Sequence, residues 1–268
     1  YLLANIASKG GNLMLNIGPD GKGKFPPLQV KYLTETGKWL QRYGESIYGT
    51  GYGLIPPQPW GVTTSKPGKL YLHILNPPAD RILHLPFIKA DVKHIRLLGT
   101  NKVLSWKNEH DEILIRLPSA LPDNRDAVLE MAYTGVQPDF AFDHTQTVSR
   151  QFPEIKIPAM QASYKGQAKN NTFTHANYFG DWKHDNCVYN MKDSSDQVVF
   201  DLNILDPGDY RIILDYACAH SSSGQEGIVQ IGGQKLRFLT LETGEYEANR
   251  PLLFIQHQTG VITIPQKG

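Results

Sequence analysis

Two cysteines, Cys187 and Cys218, are all that this 268-residue chain carries. They stand far apart and lack Cys-x-x-Cys spacing, which argues against a zinc site. A disulfide would require their strands to meet, and the expectation is two buried free thiols. Long apolar runs are missing as well. None approaches the roughly 18 residues of a transmembrane helix, so no membrane insertion is expected. No signal segment is present, but the first residue is Tyr1 rather than Met, so this says nothing about location. Charge nearly cancels, with 27 Lys+Arg against 26 Asp+Glu and a formal net charge of +1. Such a chain has no global field to draw in nucleic acid or an anionic membrane. A neutral partner such as a sugar is compatible with it. The nine histidines show no His-Glu-x-x-His or other ligand spacing, and no Gly-x-Ser-x-Gly elbow occurs. Neither a metal, a cofactor nor an α/β-type serine hydrolase is therefore expected.

What is present is ordinary globular material, 40% hydrophobic and 20% charged, with length for two or three domains. Residues 1–9 have helical apolar spacing at Leu2, Leu3 and Ile6 and stop at Gly10-Gly11. A strand is expected at Leu13–Ile17, apolar on both faces except at Asn16, as in a buried parallel sheet. Gly18-Pro19 closes it, a glycine-rich loop follows, and Pro26-Pro27 opens a helix over residues 28–43 that stops at Gly44.

The character changes after Thr50. Short β-type runs fall between prolines, at residues 70–75, 82–85, 92–98, 102–106, 113–117 and 127–133. Ile113, Ile115 and Leu117 alternate with Leu114 and Arg116, which predicts an antiparallel sandwich with the first three facing inward. Residues 135–152 read as a linker. More β runs follow at 155–157, 187–191, 198–202, 210–216, 227–231, 235–241, 252–256 and 261–264. Asp206-Pro207-Gly208-Asp209 and Gly232-Gly233 are turn signals among them. Both ends of the chain look cut.

Several patterns carry possible chemistry. Gly18-x-x-x-x-Gly23-Lys24 is most of a phosphate loop, but Phe25 stands where a magnesium-binding Ser or Thr belongs. Pro26 and Pro27 also remove helix N–H groups that would hold phosphate. Gly49-x-Gly51-x-Gly53 follows a helix instead of opening one, so it is a connector. His73, His84 and His94 lie in expected strands and read as edge or surface residues. Glycoside hydrolysis needs a pair of carboxylates, and the candidates are Asp20, Glu35, Glu45, Asp181 and Asp185. Asp20 has the best position, just past a strand's C-terminal end, where α/β barrels carry their chemistry. Residues 177–182 (NYFGDW) form the densest aromatic and polar cluster of the second β region, with Tyr189 close by. Aromatic faces there could stack on sugar rings; the competing reading is that Phe179 and Trp182 fill a core.

At this point the first fifty residues resemble a known family. Ser8-Lys9-Gly10-Gly11-Asn12-Leu13-Met14-Leu15-Asn16-Ile17-Gly18-Pro19, then Phe25-Pro26, Gly37-Lys38-Trp39-Leu40 and Gly44-Glu45-Ser46-Ile47-Tyr48-Gly49-Thr50 are similar to the end of the catalytic barrel in glycoside hydrolase family 29, the α-L-fucosidases. Met14 for leucine and Phe25 for isoleucine are the departures. From about Pro153 the chain is similar to carbohydrate-binding modules of the family 6 and 35 kind, through residues 196–202, 207–212 and 229–233.

The resemblance implies a mainly β fold: two antiparallel sandwiches after the last strand-helix unit of a (β/α)8-type barrel. Residues 1–50 would end the barrel, 51–134 form its C-terminal sandwich, 135–152 link, and 153–268 form a truncated module-like sandwich. It implies a retaining exo-glycosidase that releases α-L-fucose from fucosylated glycoconjugates through a covalent glycosyl-enzyme, with both catalytic carboxylates upstream of this chain. Asn16 and Asp20 would lie at the substrate rim, and Tyr178, Trp182 and Tyr189 would meet sugar on the second sandwich. A periplasmic or extracellular location goes with that substrate. The alternative is a non-catalytic carbohydrate-binding or structural β protein.

Overall fold

A computed structural model describes residues 1–86, 91–100, 102–109, 112–135, 145–176, 182–244 and 253–268, without the side chains of 172–176 and 182–185. It divides into two compact units, residues 1–147 with 151–156, and residues 148–150 with 157–268.

The first unit opens with helix α1 (Leu2–Ala7), ended by Gly10 at φ +72°. Helix α2 (Pro27–Tyr43) starts as expected: Pro26 precedes it in extended conformation and Pro27 occupies its first turn, where no backbone donor is missed. Seven strands follow: β1 (Gly61–Lys66), β2 (Lys69–Ile74), β3 (Ile82–Pro86), β4 (Asp91–Leu97), β5 (Trp106–Glu109), β6 (Glu112–Arg116) and β7 (Ala127–Thr134). They make a four-stranded sheet in the order β1-β2-β7-β4 and a three-stranded sheet in the order β3-β6-β5, with every neighbouring pair antiparallel. Alternation then sorts the side chains. Leu70, Leu72 and Ile74 of β2 and Leu129 and Met131 of β7 pack in one core with Leu83, Leu85, Ile113 and Ile115 of the smaller sheet. Each such side chain, removed fully from water, contributes about 1.5–3 kcal/mol. Tyr71 and Val128, one residue out of phase, pack instead with Trp39 and Tyr43 of α2. The four-stranded sheet is thus covered on both faces, which explains how β2 is buried on both. Trp60 spans from the core to the smaller sheet, its Nε1–H donating to the His84 carbonyl at 3.0 Å.

The second unit contains β8 (Gln146–Val148, which begins in the first unit), β9 (Ser163–Lys165), β10 (Lys169–Ala176), β11 (Trp182–Tyr189), β12 (Gln197–Val199), β13 (Leu202–Ile204), β14 (Gly208–Tyr216), β15 (Glu226–Ile231), β16 (Gln234–Leu239) and β17 (Ile255–Ile264). Antiparallel pairs β10-β11, β9-β12, β14-β17 and β15-β16 build it. Gly232 and Gly233 have φ of +54° and +84° and close the β15-β16 hairpin, the backbone that a two-residue turn of this hand requires.

The structure corrects several local expectations. Leu13–Ile17 is not a strand. A parallel strand takes its backbone bonds from strands on either side, and no neighbour runs along it among the described residues. Met14 is 83% exposed as a result. Residues 102–106 contribute only a bridge from Val103 to Arg96, and the strand starts at Trp106. Residues 155–157 are not a strand either; Ile155 packs on the first core beside buried Phe152. The expected linker, residues 135–152, contains β8, with Gln146 and Thr147 buried. Polar side chains hid that strand from a reading based on apolar alternation. Neither Cys187 nor Cys218 forms a disulfide, and only Cys218 is buried.

Candidate functional site

Asn16 and Asp20 lie on the exposed segment between α1 and α2. Asp20 organises the loop. Its Oδ1 accepts the backbone N–H groups of Lys22 and Lys24, each at 2.9 Å. Its own N–H donates to the Lys24 carbonyl at 2.8 Å, and its carbonyl accepts from Gly23 N–H at 2.9 Å. Gly23, at φ +75°, lets the chain reverse there. This is an aspartate closing a turn on itself, a role that needs no substrate.

The other carboxylate candidates of the first unit are engaged too. Glu35 Oε2 accepts from Arg125 Nη1 at 2.8 Å, and that guanidinium holds the carboxyl below the usual range. Glu45 accepts from Lys69 Nζ at 2.6 Å and from the Tyr71 hydroxyl at 2.7 Å. Lys69 first, then Tyr71, lowers the Glu45 pKa, while burial and the Glu45 charge push the Tyr71 hydroxyl up. Lys69 also reaches Glu130 at 3.1 Å, so this charge network ties the Gly44–Ser46 turn to β2 and β7.

A constellation that the sequence reading missed lies beneath α2. Thr64 Oγ1 is 3.3 Å from His73 Nε2, and His73 Nδ1 faces the Asp126 carboxylate at 3.2 and 3.3 Å. Hydroxyl, imidazole and carboxylate stand in the order of a hydrolytic triad. No substrate can reach it, because Thr64 and His73 are both 0% exposed. Trp39 closes it from α2, donating Nε1–H to the Asp126 carbonyl at 2.9 Å. His73 is therefore a core residue, correcting the expected edge position; its flanks in Leu70–Leu75, apolar on both sides, were the available signal. His84 and His94 are partly exposed, as expected of them.

In the second unit, Tyr178 and Asp181 fall outside the described residues. Trp182 and Asp185 belong to β11, but their side chains fall outside as well. Tyr189 ends β11 opposite Lys169 and is 40% exposed. Beside it, Asn190 at φ +65° turns the chain and donates Nδ2–H to the Gln167 carbonyl at 2.8 Å. Buried Asp196 then gathers the loop by accepting N–H groups from Lys192 at 2.7 Å, Asp193 at 3.1 Å and Gln167. Those backbone donors lower its pKa. They also occupy the oxygens that a cation would need. Among the described residues no cluster of three or more His, Cys, Asp or Glu is placed to hold a metal ion. No described helix is long and apolar enough to cross a membrane.

Two family models match the chain: one described as alpha-L-fucosidase over residues 1–45, and one described as the alpha-L-fucosidase C-terminal domain over residues 56–134. The tissue alpha-L-fucosidase of Rattus norvegicus is 33% identical over 132 residues, 45% of this chain and 27% of that protein. The Homo sapiens tissue enzyme is 33% identical over 144 residues, 49% of this chain and 29% of that protein. The chain therefore spans less than a third of these relatives. The crystal structure of an alpha-L-fucosidase from Vibrio sp. strain EJY3 shares the fold over 99% of this chain and 44% of its own, at a TM-score of 0.60 and 22% identity.

Proposed function

We propose that this chain, which matches α-L-fucosidase family models over residues 1–45 and 56–134, is the C-terminal part of a retaining exo-glycosidase that releases α-L-fucose from glycoconjugates. The observation that carries this reading is the pair of family matches over residues 1–45 and 56–134, beside similarity to relatives that are themselves named as fucosidases. The catalytic carboxylates lie in a part of the protein outside these 268 residues. In support, Asp20 is tied to its own loop, Glu35 to Arg125, and Glu45 to Lys69 and Tyr71. Retaining hydrolysis needs two carboxyl groups about 5–5.5 Å apart across one sugar. The substrate is a fucosylated oligosaccharide or glycoconjugate, and the location that goes with it is periplasmic or extracellular. The test is an assay on an aryl α-L-fucoside with the 268-residue chain beside a longer protein that includes the whole barrel. The longer protein is expected to release fucose and the chain alone none. Hydrolysis by the chain alone would refute the placement of the carboxylates.

The second unit lies beyond both family matches, and we assign it sugar binding, with Trp182, Tyr178 and Tyr189 as the contacts. Tyr189, exposed at the open end of the β10-β11 hairpin opposite Lys169, favours this, while Trp182, opposite Ala176, stands at the other end of β11. Aromatic rings suit the apolar faces of sugars because they offer a large rigid surface at little entropic cost. Fucosylated glycans titrated against the parent chain and Trp182→Ala decide it: weaker binding by the variant is expected, and equal affinity or no binding by either rejects the assignment.

A further inference from the structure

The buried polar chain under α2 has a proton inventory that its geometry fixes. Thr64 Oγ1 is 2.6 Å from the Ser46 carbonyl oxygen. A carbonyl has no hydrogen to give, so at that distance the single hydroxyl proton of Thr64 lies on this contact. Thr64 can then only accept from His73 Nε2, which must carry a proton. On the other side of the ring, Nδ1 is almost equidistant from the two Asp126 oxygens, at 3.3 and 3.2 Å. An ionised carboxylate accepts in that shared manner, whereas a protonated acid would place one short O–H bond on the nitrogen. Nδ1 must therefore carry a proton too. Either neutral tautomer beside an ionised Asp126 would set two lone pairs against each other where no water can intervene.

We propose that His73 is a doubly protonated imidazolium forming a buried ion pair with Asp126, and that this pair is an ionic latch. It fastens the Ser46 turn, through Thr64, and α2, through Trp39, onto the four-stranded sheet. On the same face of the sheet, two residues along β7 from Val128, buried Glu130 is the neighbouring charge, and Arg96 and Lys69 hold it. From α2 come the Trp39 ring, 6.2 Å from the imidazole by centroids, and Tyr43, whose buried hydroxyl has no hydrogen-bond partner among the described residues. Arg42 lies over the Tyr43 ring, 5.2 Å from its centroid. From the turn before β7 comes Asp123, whose Oδ1 is occupied by the N–H groups of Arg125 and Asp126. The residues paired with His73 across the sheet, Val62 in β1 and Val128 in β7, are apolar.

Nitrogen-15 NMR of the histidine ring in the 268-residue chain at pH 7 tests this. Protons bonded to both Nδ1 and Nε2, with imidazolium nitrogen shifts and slow exchange with water, are expected. A ring with a single N–H, on either nitrogen, overturns the proposal; a proton on Nε2 alone would place the other on Asp126. Asp126→Asn is expected to remove one ring proton, as is Thr64→Val, and retention of both protons in a folded variant also overturns it. The parent spectrum decides the matter even if neither variant folds.

Discussion

Arg96 grips Glu130 along one edge of its guanidinium, Nε to Oε1 at 2.9 Å and Nη2 to Oε2 at 2.8 Å, directly across β4 and β7. Lys69 adds a bond to Oε2 at 3.1 Å. The Glu130 side chain is 2% exposed, while Arg96 and Lys69 reach solvent. Burial pushes the carboxyl up, but the two cations outweigh it and bring it down to about 2. A carboxylate depressed in the folded state contributes stability above its ordinary value, and that stability is lost as pH falls toward the folded value. Urea unfolding of the first unit, followed by Trp60 fluorescence, is expected to lose midpoint between about pH 4.5 and pH 2. Glu130→Gln should flatten the curve in that window, and Glu130→Ala should cost about 3 kcal/mol at pH 7. A Gln variant with the parent's acid slope would show that other groups carry it.

Asp20 separates a turn residue from a catalytic one. Asp20→Asn keeps an oxygen at Oδ1 for the Lys22 and Lys24 amides, while Asp20→Ala removes it. Exchange of those two amides should quicken in the alanine variant and stay near the parent rate in the asparagine variant, a difference of about 1 kcal/mol. In a longer protein with the whole barrel, Asp20→Asn should keep kcat within about threefold. Loss of a general acid or base costs roughly 10²–10⁴-fold, and a fall of that size would make Asp20 part of the chemistry.

The contrast between these sites shows what the sequence could and could not reveal. Pro26-Pro27, apolar spacing and Gly44 marked α2 well, and Ile113, Ile115 and Leu117 face the core as their alternation requires. Strand β1 was invisible because three of its five buried residues are Thr63, Thr64 and Ser65. Their hydroxyls find partners in the Ile55, Ser46 and Tyr52 carbonyls, so the segment from Ser46 to Ile55 substitutes for an apolar face. Hydropathy cannot see a hydroxyl whose partner lies that far away in the chain. The failure at Leu13–Ile17 has the opposite cause. Its apolar residues are suited to a sheet, but a strand is a property of its neighbours, and none among the described residues is beside it. The Thr64–His73–Asp126 chain joins residues up to 62 apart, which only the folded register brings together.

In the second unit, Gly227 and Phe238 stand opposite each other in the β15-β16 hairpin. A Cβ on Gly227 would lie 2.3 Å from Phe238 Cζ and 2.5 Å from Cε1, so the ring rests on the glycine. Beyond it are His257, 6.2 Å from the Phe238 ring by centroids, and Tyr216, 5.8 Å from His257. The glycine's φ is not in the left-handed region, so space and not backbone strain selects it. Gly227→Ala should destabilise the second unit by about 1–3 kcal/mol as the ring is pushed off its position. The cause is separable in a double-mutant cycle. With Phe238→Ala already in place, the added methyl has nothing to strike, and Gly227→Ala should then cost less than about 0.5 kcal/mol. Urea unfolding read from the β15-β16 amides supplies both numbers. Penalties that simply add would mean that the aromatic ring is not what excludes a side chain here.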